Sequence, residues 1–135
     1  MVFYTSLILI IICIASSVRL LFTPYKIKGK RVSLENFFFL ASIYATVMIS
    51  FGLMYIMLEL HGYAVLDDGY IPSENIFLAR LETGLYFSAI TLFSVGYGDI
   101  APIGIGRIIA VSEALIGYTI PAAFVARTVW DMEKS

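Results

Sequence analysis

TGLYFSAITLFSVGYGDIAP, residues 83–102, is the stretch on which the fold turns. Its first part carries no charge from Thr83 to Phe93 and is expected to form a short helix. The next residues, Ser94, Val95, Gly96, Tyr97 and Gly98, break that pattern and lead to Asp99. A bilayer core of about 30 Å takes roughly 20 helical residues, so the apolar piece around this helix, Leu81 to Val95, is too short to cross one. An apolar helix that stops in glycines reads as re-entrant, which membranes tolerate only where protein or water surrounds the non-helical backbone. Gly96 and Gly98, spaced by one residue, reach backbone angles that other residues resist. Such a segment can turn successive carbonyl oxygens to one side. The helix before it should end in unpaired carbonyls with partial negative charge, which stabilise a cation beyond them.

Working outward, three longer apolar stretches run from about Phe3 to Phe22, Asn36 to Leu60 and Ile103 to Trp130. The second carries no charge until Glu59, and the third is interrupted by Arg107, Glu113 and Arg127. All three are long enough to span a bilayer. The first also has the apolar core and small residues (Ala15, Ser16, Ser17) of a cleaved leader, but no basic residue precedes it, so a retained helix is expected. The chain is 60% hydrophobic and 14% charged, against about 45–50% and about 25% in soluble domains. A formal net charge of −1 gives no global field for nucleic acid. Cys13 is alone, which excludes an intrachain disulfide and a cysteine-based metal site. His61, the single histidine, has no companion for a transition metal and reads as a residue of an interfacial loop. No nucleophile–base pair points to an enzyme, and no cofactor is expected.

Charge sets the expected orientation. The link from Thr23 to Asn36 holds Lys26, Lys28, Lys30 and Arg31, and short basic loops stay cytoplasmic. The link after the second stretch holds Glu59, Asp67, Asp68, Glu74 and Glu82 against Arg80. It is expected outside, with the N-terminus outside and the C-terminus cytoplasmic in a multi-pass protein of the cell membrane. The basic link is also suited to anionic lipid headgroups.

From about Asn36 to Trp130 the chain resembles the potassium-channel pore family, most closely its small bacterial two-helix modules, with a helix added in front. The family's filter reads Thr-Val-Gly-Tyr-Gly followed by Asp; here Ser94 to Asp99 read SVGYGD. The resemblance implies that the carbonyls of Ser94, Val95, Gly96 and Tyr97, with Gly98 completing the loop, line K⁺ sites in place of a hydration shell. The Ser94 hydroxyl would serve the innermost site and Asp99 would sit at the outer mouth. Tyr86 and Phe87 occupy the place of pore-helix aromatics, with the Tyr86 hydroxyl a candidate donor. Ile90 stands where some members carry a carboxylate that pairs with the filter aspartate, so Asp99 needs another partner. Gly117 takes the place of the inner-helix hinge glycine, and Tyr118, Pro121 and Val125 are candidates for lining the cavity.

The expected fold is an all-α membrane protein with three transmembrane helices, a re-entrant pore helix and a filter loop, assembled as a homotetramer because one loop cannot surround an ion. The expected segments are an N-terminal helix over 1–22, a basic link over 23–35, a pore domain over 36–130 and a tail over 131–135. The pore domain divides into an outer helix over 36–60, a turret over 61–82, the pore helix over 83–93, the filter over 94–98 and an inner helix over 103–130. Glu113 is the carboxylate deep in a span and should face protein. It shares a helix face with Gly117 and Pro121 and is expected to support the filter through the pore helix. Pro121 removes an intrahelical hydrogen bond and allows a kink. No span repeats Arg or Lys every third residue, so voltage sensing is not expected. Ser94 in place of threonine loses a methyl contact, which favours gating at the filter and keeps a less selective cation channel as an alternative. A non-conducting assembly subunit is the alternative from another class. A cysteine introduced at Ser73 should react with an impermeant thiol reagent applied outside and one at Lys28 should not; the reverse labelling pattern overturns the orientation.

Overall fold

A computed structural model describes residues 2–22, 34–69 and 76–133. The basic link with Lys26, Lys28, Lys30 and Arg31 lies outside the described residues, as do Ser73, Glu74 and Lys134. Four helices follow one another: α1 (Val2–Phe22), α2 (Leu34–Leu60), α3 (Ile76–Leu92) and α4 (Gly106–Glu133). Among the described residues two helical stretches, Phe37–Leu60 and Gly106–Arg127, are long and apolar enough to cross a membrane.

The core is built on α2. Ile43, Val47, Phe51, Met54, Tyr55 and Leu58 are buried and recur at three- and four-residue spacing, the stripe by which a helix faces its neighbours. On this stripe pack Phe87, Ile90 and Leu92 of α3 and Ala110 and Ile120 of α4. α1 packs chiefly on α2, with a smaller contact to α4, and buries only Ile10 and Ser17 of its described side chains. The Phe3 ring lies 3.9 Å from that of His61 between centroids, so α1 begins at the end where α2 finishes. His61 caps that end of α2, its Nδ1 lying 2.8 Å from the Met57 carbonyl.

α3 starts at Ile76, inside the segment expected as a turret. The charges that made this stretch read as a loop are accommodated by pairing: Arg80 forms a salt bridge with Glu59, and Glu59 also accepts from the Leu66 N–H at 3.2 Å. The described residues between α2 and position 69 fold back on the segment after Asp99. Two-residue strands β1 (Leu66–Asp67) and β2 (Ala101–Pro102) pair antiparallel, and the Ile103 N–H donates to Val65 at 2.9 Å. That bond and the turn at Gly104, with φ of 49°, delay the inner helix to Gly106 rather than residue 103. At its other end α4 runs on to Glu133, through part of the expected tail. α2 begins two residues ahead of position 36, a difference of the size usual at helix ends.

α2 and α3 approach closely because Gly52 faces Gly84. A Cβ added at Gly84 would lie 2.9 Å from Ile56 Cγ1 and 3.1 Å from the Gly52 carbonyl oxygen. In a bilayer, where lipid tails are as apolar as leucine, such small-residue contacts hold helices together by packing. Gly84→Val is expected to destabilise the protein by about 1–3 kcal/mol through overpacking. Thermal unfolding in detergent checks this, and an unchanged midpoint would show that the helix spacing is set elsewhere.

Candidate functional site

The geometry of a helix end governs the segment after α3. The Val95 N–H donates to the Ile90 carbonyl at 2.8 Å, and the Ser94 N–H donates to the Thr91 carbonyl at 3.1 Å. This is a Schellman closure, which needs a left-handed residue just past the helix. The same closure ends α2, where the left-handed residue is Gly62 with φ of 85°. At the end of α3 it is Ser94, with φ of 57°, and a residue with a Cβ pays about 1–2 kcal/mol for that conformation. The Gly96 N–H also reaches Ile90, at 3.2 Å. The carbonyls of Ile90 and Thr91 are therefore occupied, where the sequence suggested an open helix end. Threonine at 94 would be worse placed than serine, because branched residues avoid positive φ. Ser94→Thr thus carries a backbone cost that its restored methyl must overcome.

Beyond Ser94 the sign of φ alternates. Gly96 and Gly98 have φ of 57° and 80°, while Val95 and Tyr97 are not in the left-handed region. A strand sends successive groups to opposite sides; alternating signs let neighbouring carbonyls share a side. Val95 is 50% exposed and Tyr97 73% exposed within a single chain, so this segment has a face free for other partners. Asp99 closes it: the Tyr86 hydroxyl donates to Asp99 Oδ2 at 2.8 Å. That hydrogen bond holds the Tyr86 proton above the usual phenol range. Ile90, one turn after Tyr86 on α3, is buried in the core, and Phe87 packs edge-on against Tyr55 of α2, at 5.2 Å and 83°.

Behind α3 three fully buried polar residues meet: Glu113 of α4, Ser88 of α3 and Tyr55 of α2. The Tyr55 hydroxyl donates to Glu113 Oε2 at 2.9 Å. Ser88 Oγ bonds Glu113 Oε1 and lies 2.8 Å from the Met48 carbonyl. A hydroxyl has one proton. The Met48 carbonyl can only accept, so when Ser88 donates there, the proton between Ser88 and Glu113 is supplied by the carboxyl group. Protonated in this way, the Glu113 carboxyl joins three helices; with the Ser88 proton turned to Glu113 instead, the Met48 carbonyl is left without it. The sequence marked Glu113 by its depth in a span; Tyr55 and Ser88 had no such mark, since a hydroxyl on an apolar helix commonly bonds its own backbone.

Gly117 is a close-packing position in a continuous helix. A Cβ there would overlap the Leu92 carbonyl, so α3 ends directly on α4. An open cavity of about 350 Å³ lies beside this contact, with Tyr44, Phe93 and Ser94 on one side and Gly117, Tyr118 and Pro121 on the other. Val125 is not among its lining residues; it lies farther along α4 and is exposed. Arg107 donates to the Pro102 carbonyl at 3.2 Å in the first turn of α4.

A family model described as "Ion channel" matches residues 37–133, leaving α1 outside it. The chain is similar to Protein LctB of Bacillus caldotenax, with 44% identity over 103 residues covering 76% of this chain and 77% of that protein. It is also similar to Protein LctB of Geobacillus stearothermophilus, with 42% identity over 104 residues covering 77% and 78%. No solved structure matches.

Glu113→Ala leaves the Tyr55 hydroxyl without its partner, while Ser88 keeps the Met48 carbonyl, and is expected to cost about 1–3 kcal/mol for the hydroxyl left unsatisfied. Glu113→Gln should cost much less, because an amide donates to Ser88 and accepts from Tyr55 as the neutral acid does. Unfolding midpoints of the two variants in detergent decide it; equal losses would remove the neutral-acid reading.

Proposed function

The chain belongs to the ion channel family, and on that premise we propose that it conducts potassium ions passively through a pore shared by four copies. The observation that carries this reading is the SVGYGD segment with alternating φ, held at the end of α3 between two helices that can cross a membrane. Backbone carbonyls bind a dehydrated cation without a fixed charge, so the ion can leave as readily as it enters. Within this reading Ser94, Val95, Gly96 and Tyr97 supply the oxygens, Gly98 the turn, and Asp99 the mouth. Tyr86, Phe87, Ile90 and Glu113 brace the segment from behind. K⁺ is the permeant ligand, and surrounding lipids are the other partner.

Assembly has its own support. Along α4, Ile108, Val111, Leu115, Tyr118, Ala122, Val125 and Val129 recur at alternating intervals of three and four, and all are exposed in the single chain. That spacing is the seam of left-handed helix packing. One such seam per copy, arranged around an axis, brings four SVGYGD segments together. α1 has 21 residues, a length of about 32 Å at 1.5 Å per residue, and serves as a third span. Its first turn beside His61 and the basic link after it favour an N-terminus outside and a C-terminus in the cytoplasm. Ser94 is the feature that favours a less selective monovalent cation channel instead.

Purified protein in liposomes should pass K⁺ and Rb⁺ far better than Na⁺, and the particle should have the mass of a tetramer. Reversal potentials under opposed K⁺ and Na⁺ gradients provide the measurement. Equal permeability would favour the less selective channel, and an absence of flux would favour a non-conducting assembly subunit.

A further inference from the structure

Pro121 lies inside α4. A helix pairs each carbonyl with the N–H four residues on, and the residue four after Gly117 is Pro121, which has no N–H. The Gly117 carbonyl is thereby left without its helical donor in a segment read as crossing a bilayer, where a freed carbonyl needs a partner from protein or from cavity water. The donor comes from another helix. The Tyr44 hydroxyl of α2 bonds the Gly117 carbonyl at 2.9 Å. The ring that carries this hydroxyl stacks on Phe93, with centroids 5.3 Å apart and planes at 15°. Phe93 immediately precedes Ser94, and the Leu92 carbonyl fits against Gly117. The proline break, the outer helix and the start of the SVGYGD segment thus meet at one side chain.

We propose that Tyr44 is a positioning residue: its hydroxyl replaces the backbone donor that Pro121 removes, and its ring ties α4 at that point to the residue before Ser94. The link to conduction rests on the channel reading above; the replacement of the missing donor does not. A helix bends most easily where a carbonyl has no intrahelical partner. When α4 swings at that point the Gly117 carbonyl leaves Tyr44, and the stack on Phe93 is no longer held from both ends. The bond therefore favours the α4 geometry of this structure and resists its change. A tyrosine at this place without a proline four residues after its acceptor would be one more hydroxyl on a helix; with the proline it completes the hydrogen bonding of α4.

The test is a double-mutant cycle on the full chain. Tyr44→Phe keeps the ring and removes the hydroxyl. Pro121→Ala restores an N–H to the Gly117 carbonyl and makes the hydroxyl redundant. Tyr44→Phe should lower the unfolding midpoint by a few degrees in the native background and by much less beside Pro121→Ala. For the position of α4 beyond Pro121, spin labels at Ala41→Cys and Val129→Cys, in a Cys13→Ser background diluted among unlabelled copies, report the spread of α4 relative to α2. That distance distribution should broaden with Tyr44→Phe and narrow again when Pro121→Ala is added. In bilayers the open probability should change at least a few-fold in the same pattern, with the reversal potential unmoved. Equal effects of Tyr44→Phe in both backgrounds would overturn the proposal. So would a stability coupling with no change in the α4 distances, because the hydroxyl would then be structural only. Currents absent from every variant would count against the channel reading, while the unfolding and distance cycles still decide the role of Tyr44.

Discussion

Every backbone amide and carbonyl held at membrane depth has to find a partner in the protein or in the water and ions it encloses. Helices meet this demand by themselves, and α1, α2 and most of α4 need little else. The fold becomes specific where the helical pattern fails. At the end of α3 the N–H groups of Ser94, Val95 and Gly96 turn back onto Thr91 and Ile90, so the departing chain caps the helix it leaves. At Pro121 the missing donor is replaced across an interface by Tyr44. Among the described residues no buried side-chain nitrogen or oxygen lacks a partner, and the same economy extends to Glu113, Ser88 and Tyr55.

These polar contacts do a job that apolar packing cannot do in lipid. Burying leucine against leucine gains little when the alternative is leucine against an acyl chain, so association depends on close fit and on hydrogen bonds between helices. The Gly52–Gly84 contact sets how near α2 and α3 can come. The bonds around Glu113 set their register against α4. Carboxyl and hydroxyl groups bond only in a few directions, whereas apolar surfaces slide. The segment from Ser94 to Asp99 is consequently carried on an α3 that is fixed in depth, by the glycines, and in rotation, by Ser88 and Phe87.

How much of this was legible beforehand depended on range. The long apolar helices were plain because their signal is summed over many neighbouring residues, and the SVGYGD segment stood out through Gly96 and Gly98. Glu113 stood out as a carboxyl group in a span, and Pro121 as an interruption. Their partners did not, because Tyr44 and Gly117 are 73 positions apart and nothing local to a tyrosine reports a proline in another helix. The start of α3 was misread for a different reason. Arg80 and Glu82 gave Ile76 to Glu82 the look of a loop, and the pairing of Arg80 with Glu59 is visible only in three dimensions. Two-residue strands such as Leu66–Asp67 are too short to show alternation. The left-handed conformation at Ser94 was hidden because the usual marker for it is glycine. The resemblance to channel pores and the family match both rest on the stretch that was easiest to read.

Ser94 also has an evolutionary side. A glycine there would relieve the backbone and discard the hydroxyl in the same step. Threonine would keep the hydroxyl and bring a branched Cβ into a conformation that penalises it. Aspartate and asparagine accept the left-handed region more readily than most, but each replaces the hydroxyl with a larger polar group. Serine is the compromise between these demands, so the position has few neutral neighbours in sequence space. Drift to another residue would have to be accompanied by a different closure of α3. Lineages that carry threonine at this place should therefore end the helix in another way, and the change of residue and the change of helix ending should be inherited together.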